Sequence, residues 1–182
     1  MALSVWGRNL LGCVAVAAGV AAFSLGLPGV DAAIPDSTVP AGRPLEFAQD
    51  ASVEPPPQAR LVADQTSPTE GVLTLLVDGV TYRVSERPFT GTLDELAAQI
   101  ANDLRNQNGL QAVGALHAAV SDQGVPGVQA AFTGESRSGW FTAFLRGGIA
   151  LVAVVDGNDA SLSRNLHAID DSVETLRFEA QA

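Results

Sequence analysis

Two runs of alternating apolar residues, Val72–Val77 and Val80–Ser85, are separated by only Asp78 and Gly79. A two-residue Asp-Gly connection favours a type I′ turn, whose backbone twist matches that of two antiparallel strands. Folding at this turn sets Val77 opposite Val80, Leu75 opposite Tyr82 and Leu73 opposite Val84. These six share one face. Leu76 with Thr81 and Thr74 with Arg83 share the other. A slip of one residue would scramble that separation, so the register is strongly specified. The chain must therefore contain an antiparallel sheet with one strongly apolar face.

The remaining pattern extends this sheet. Leu45-Glu46-Phe47, Ala51-Ser52-Val53 and Leu61-Val62-Ala63 read as short strands, with Pro55-Pro56-Pro57 ending the second because proline cannot donate to a ladder. Asp64 to Gly71 reads as a loop, and Arg87-Pro88 as the break after the hairpin. Thr92 with Glu95 three residues on forms a capping box. Leu93, Leu96, Ala97, Ile100 and Leu104 follow at helical spacing, and Asn108-Gly109 supplies the stop. Leu116, Ala118 and Val120, then Val128, Ala130 and Phe132, predict two more strands.

Trp140–Arg146 and Ile149–Val155 flank Gly147-Gly148, a second hairpin loop. Here both faces are apolar: Trp140, Phe144, Leu151 and Val155 on one, Phe141, Leu145, Val152 and Val154 on the other. A strand buried on both sides is central in a covered sheet, or lines a cavity or interface. Asn158 or Asp159 caps a last helix, along which Leu162, Leu166, Ile169, Val173 and Leu176 make one stripe, and Phe178 anchors the tail. The expectation is an α+β domain over residues 45–182: an antiparallel sheet of about six or more strands packed with two helices.

No charged residue occurs from Leu10 to Val30, a run of 21. At about 1.5 Å per residue such a helix reaches roughly 30 Å, the depth of the hydrocarbon core. Residues 1–9, with Arg8, precede it, and Asp31 and Asp36 follow, so the positive-inside rule keeps the N-terminus cytoplasmic and exports the rest. On length the run is expected to be an uncleaved transmembrane signal-anchor in contact with the lipid bilayer. Cleavage near Ala32, giving a secreted protein, is the alternative. Leu10-Leu11-Gly12-Cys13 faintly resembles a lipoprotein box, but its apolar stretch lies after the cysteine. Residues 31–44, with Pro35, Pro40 and Pro44, read as an extended linker.

The segments TLDELAAQIANDL, GVPGVQAAFTG, GWFTAFLRGGIALVAVVDG and the closing SVETLRF together resemble the PsbP-like fold. That fold is shared by an extrinsic photosystem subunit, a Ran-binding nuclear transport factor and exported actinobacterial proteins of the LpqN kind. The resemblance covers roughly Leu45 to Phe178. It implies a non-enzymatic adaptor or assembly factor, and no family binding residue transfers to a position here.

Side-chain chemistry points the same way. The ten cations are all arginine, set against 20 acids for a net charge of -10, which argues against nucleic acid as a partner. Without lysine there is no Walker loop or Schiff-base site, and the only cysteine, Cys13, lies in the apolar run. His167 and Asp171 share a helix face with Arg164 nearby; a metal pair is possible there, and a solvated charge cluster is the plainer reading. His117 could act as a general base or be a half-exposed strand residue. Gly134-Glu135-Ser136-Arg137-Ser138-Gly139 reads as a strand connection, not a nucleophile elbow. Trp140, Phe144, Leu151 and Val155 are the candidate lining of an apolar ligand site, with core packing as the alternative. The expected function is a membrane-anchored extracytoplasmic binding or assembly module without catalysis, cofactor or metal, serving a protein partner at the membrane or cell envelope. A carrier or sensor of a small apolar ligand held between sheet and helix is the second reading, and a histidine-based hydrolase the third.

Overall fold

The computed structural model describes residues 38–40, 42–48 and 51–179, so the apolar run at 10–30 lies outside the described residues. Among the described residues no helix is long and apolar enough to cross a membrane. Among the described residues ten strands and two α-helices follow in order: β1 (Leu45–Ala48), β2 (Ala51–Val53), β3 (Arg60–Leu61), β4 (Val72–Val77), β5 (Val80–Pro88), α1 (Leu93–Asn108), β6 (Gln111–Val120), β7 (Pro126–Thr133), β8 (Ser138–Arg146), β9 (Ile149–Gly157), α2 (Asp159–Glu174) and β10 (Arg177–Phe178). Seven strands form one antiparallel sheet in the order β3-β4-β5-β9-β8-β7-β6, and β1-β2-β10 form a second, smaller sheet.

The Asp78-Gly79 hairpin has the expected register, Leu73 to Val84, Leu75 to Tyr82 and Val77 to Val80. Asp78 and Gly79 both have positive φ, 45° and 79°, as a type I′ turn requires. The second hairpin pairs Trp140 with Val155, Phe141 with Val154 and Phe144 with Leu151. Its strand β9 is the middle strand of seven. One set of its alternating side chains enters a core with Tyr82, Leu75, Ile169 and Val173, under α2 and the small sheet. The other set enters a separate core with Leu96, Ile100, Leu104 and Phe132, under α1. The faces read from the alternation are those observed.

Local chemistry sets the helix ends. Thr92 Oγ1 accepts from Glu95 N (3.2 Å) while Glu95 Oε2 accepts from Thr92 N (2.8 Å), a complete capping box. Asn158 Oδ1 accepts from Ser161 N (2.9 Å) at the start of α2.

Several boundaries differ from expectation. β5 runs on through Arg87 to Pro88, paired with Ala150 and Ile149. The N–H of Glu86 points to Gly71 and that of Phe89 to Gly148. Pro88 alternates with Phe89, so its missing donor falls on the side where β4 has already ended, and nothing is lost. The third short strand is Arg60–Leu61, and Ala63–Gln65 and Pro68–Glu70 within the expected loop are 3₁₀ turns. Val39, read as linker, is buried, with its N–H donating to Ala59 O (2.9 Å). Phe178 is buried as expected, and Arg177 and Phe178 also pair as β10 with β2.

Gly79→Val should destabilise the folded chain by about 1–3 kcal/mol, because a β-branched residue resists positive φ. A thermal midpoint unchanged from the native chain would remove the turn from the list of stabilising elements.

Candidate functional site

Coverage of the large sheet is uneven. α1 packs on β6, β7 and β8 on one face; α2 packs on β5, β9 and β8 on the other, with the small sheet beside it over β4. Two areas are left open: the α2 side of β7 and β6, and the α1 side of β5 next to β4.

The first open area ends in the edge strand β6. Nine of its ten residues are exposed, and the remaining one, Ala119, is half-buried. Val113, Leu116 and Val120 are 43%, 44% and 59% exposed, three of the four large apolar side chains so exposed among the described residues. The strand carries no Asp, Glu, Arg or Pro. Edge strands normally blunt their free N–H and C=O groups with such residues. The only blunting device here is an irregularity between Val113 and His117, which leaves His117–Val120 in regular register with Pro126–Gln129. The predicted alternation of Leu116, Ala118 and Val120 is therefore real, but these residues stay exposed: pairing places Ala118 and Val120 on the α1 side of the sheet with Val128 and Ala143, and Val113 on the α2 side with Ala131 and Trp140. The signal legible in the sequence was the charge-free stretch from Asn106 to Ser121.

The fourth exposed apolar side chain, Leu166 (39%), was expected in the buried stripe of α2. It lies one turn before Asp170, which accepts from Gln129 Nε2 (3.3 Å) on β7, so this flank of α2 overhangs the open strands. Asp171 and Glu174 are exposed on the same helix, and Asp122 N donates to Glu174 O (2.8 Å) just past the end of β6. An uncharged strand edge is thus bordered by carboxylates.

The second open area is polar. Pairing places Arg60, Leu76, Thr81 and Asp156 in one cross-strand row and Thr74, Arg83 and Val154 in the next. Ser85 and Arg87 continue the same face along β5. Arg137 forms an ion pair with Asp156 and donates to Thr81 Oγ1 (3.3 Å). Arg87 Nη1 lies 3.8 Å from Asp103 Oδ2 on α1. Burial pulls the guanidinium pKa values of Arg83 and Arg87 down, with Asp156 and Asp103 respectively opposing the shift. Burial raises the Asp156 carboxyl above its ordinary range, more than Arg137 lowers it.

The apolar candidates fall elsewhere. Phe144, Leu151 and Val155 are 0–1% exposed in the core under α2, and Trp140 packs against them. Tyr82, Val155 and Trp140 form one cross-strand row. Trp140 Nε1 and Tyr82 Oη are buried without a hydrogen-bond partner among the described residues. Burial pushes the Tyr82 phenol far up, so it stays neutral; the neighbouring Ser172 hydroxyl donates to Glu54 O instead.

The histidines are not brought into a catalytic array. His117 is exposed on β6, and His167 is exposed on α2. Arg164, expected beside His167 and Asp171, pairs instead with Asp78 in the hairpin turn, through Nε (3.0 Å) and Nη2 (2.9 Å). That contact lowers the Asp78 pKa. Among the described residues no group of three or more His, Cys, Asp or Glu could hold a metal ion.

No family model and no curated protein matches the chain. Among solved structures, the chain superimposes on the solution structure of cyanobacterial PsbP (CyanoP) from Synechocystis sp. PCC 6803 with a TM-score of 0.54, covering 85% of this chain and 98% of that one at 11% sequence identity. The fold is PsbP-like. At that identity the likeness is one of backbone architecture, and the side chains of a PsbP-like domain must be read from this chain alone. The uncharged β6 edge and the β5 arginines are properties of this sequence on the PsbP-like frame.

The folded-state pKa of Asp156 lies above its unfolded value of about 3.9. The stability it contributes is therefore fully present below that pH and lost as pH rises through the folded pKa. Relative to Asp156→Asn, the native chain should lose stability as pH climbs from about 4 toward neutrality. Urea unfolding of both proteins at stepped pH measures this. A native chain that gains on the variant with rising pH would show instead that the Arg137 ion pair dominates.

Proposed function

We propose that the chain is a non-catalytic binding module displayed outside a membrane, which holds a protein partner by adding an extended segment of that partner to β6. The observation carrying this reading is the long, uncharged, exposed β6 edge. Unpaired backbone groups on such an edge supply affinity, and Val113, Leu116 and Val120 supply apolar contacts. The bordering carboxylates Asp122, Asp170, Asp171 and Glu174, in a chain of net charge -10, favour a segment flanked by cations over a second copy of the same chain. The PsbP-like architecture supports an adaptor role, and the resemblance carried by TLDELAAQIANDL, GVPGVQAAFTG, GWFTAFLRGGIALVAVVDG and SVETLRF is the ground for proposing kinship with exported proteins of the LpqN kind. Residues 10–30 serve in this reading as a signal-anchor with the domain outside. A carrier of a small apolar ligand is the second reading, motivated by the apolar residues Trp140, Phe144, Leu151 and Val155 of the hairpin that is apolar on both faces.

A photo-crosslinking residue at Leu116 in the full chain should give one discrete heteromeric adduct in intact cells, and the same residue at Gln99, exposed on α1, should not. Val120→Lys should abolish the adduct while changing stability by no more than about 0.5 kcal/mol, as for other surface changes. An adduct of two copies of this chain would replace the partner by self-association, and no adduct at Leu116 would end the reading.

A phosphatase fused to the C-terminus should be active only if the domain is exported. Activity from a cytoplasm-dependent reporter at that position would reverse the topology.

A further inference from the structure

The arginine-bearing side of β5 holds a second feature, independent of β6. Arg87 Nε and Nη2 are both buried, and neither has a hydrogen-bond partner among the described residues. These two nitrogens form one edge of the guanidinium, two parallel N–H donors at the spacing of the two oxygens of a carboxylate. The contact with Asp103 is made from Nη1, on another edge, and at 3.8 Å it is an ion pair without a hydrogen bond. An unmade bond to a buried charged donor is costly, so two on one edge call for an acceptor. The Arg87 side chain is 32% exposed as a whole, whereas Nε and Nη2 are themselves covered, so an acceptor reaches this edge only by displacing what lies over it. Arg83 and Ser85 precede it on the same face of β5.

We propose that the Nε–Nη2 edge of Arg87 is a binding site for a carboxylate, seated on the α1 side of β5. A carboxylate fits better than a phosphate for two reasons. It is planar and offers two coplanar oxygens to a single fork. It is also a monoanion, and a dianion beside Asp103 would meet a second negative charge at close range. The carboxylate could come from a small organic acid or from the free C-terminus of a peptide. The chemistry at the fork is the same for both.

The test is a titration of the full chain, held in detergent micelles and labelled with ¹⁵N-arginine, followed by the Nε–Hε resonances. The Arg87 signal is assigned by its disappearance in Arg87→Lys, which keeps the charge and removes the fork. Sodium acetate, a short peptide with a free C-terminal carboxylate and the same peptide amidated are compared with sodium chloride at equal ionic strength. The Arg87 resonance should shift saturably with acetate or the free-carboxylate peptide, with half-saturation at about 10 mM or below. Asp103→Asn, which removes the competing negative charge, should tighten binding about threefold or more. Tighter binding of the free-carboxylate peptide than of acetate assigns the site to a polypeptide end; equal or weaker binding assigns it to a small acid. A shift no larger than that with chloride, or one shared equally by all arginines, overturns the proposal, as does equal binding of the amidated peptide without any response to acetate.

Discussion

β9 is the strand on which the other elements depend. It bonds to β5 along one edge and β8 along the other, and it sends alternate side chains into two cores that do not mix. Leu151 and Val155 are fully buried on one side, Ala150 and Val152 buried on the other. Full burial of each large aliphatic side chain contributes roughly 1.5–3 kcal/mol, so the strand is stable only if both faces of the sheet are covered at its centre. The close approach of β8 follows. A Cβ on Gly139 would lie 1.9 Å from the Val155 carbonyl oxygen, so only glycine fits there.

Covering the centre from both sides does not require covering the ends. Two 16-residue helices and a small sheet cannot shield seven strands on two faces, and they are offset toward opposite ends. The composition of each open area follows from what remains in contact with water. Beside α2 the open strands carry Ala, Gln and Val with carboxylates along the overhanging helix. Beside β4 the open strand carries Thr, Arg, Ser and Arg in alternation. The long arginine stems lie along the sheet while their heads stay near the rim, a common compromise for a cation on a half-covered surface.

The two areas differ in electrostatic preference. The β6 edge is neutral within an acidic border. The β5 face concentrates Arg60, Arg83, Arg87 and Arg137 against Asp156 and Asp103, a cationic excess in a chain whose overall charge is -10.

Local rules in the sequence determined both hairpin registers, the division of β8 and β9 between two faces, and the capping box at Thr92. Each depends on neighbours a few residues apart: a two-residue turn, an alternation of period two, a hydroxyl reaching its own helix end. The tertiary structure alone decided which strand became the edge. Alternation in Leu116, Ala118 and Val120 states that they share a side, and only the strand order decides whether that side meets a core or water. The same order made Pro88 tolerable in a strand, since β4 had already ended beside it. Leu166 left the apolar stripe because α2 stops short of β6, and Arg164 turned from Asp171 to Asp78 because the hairpin turn lies beside the start of α2. Periodicity is a property of one segment, whereas exposure is a property of what packs against it.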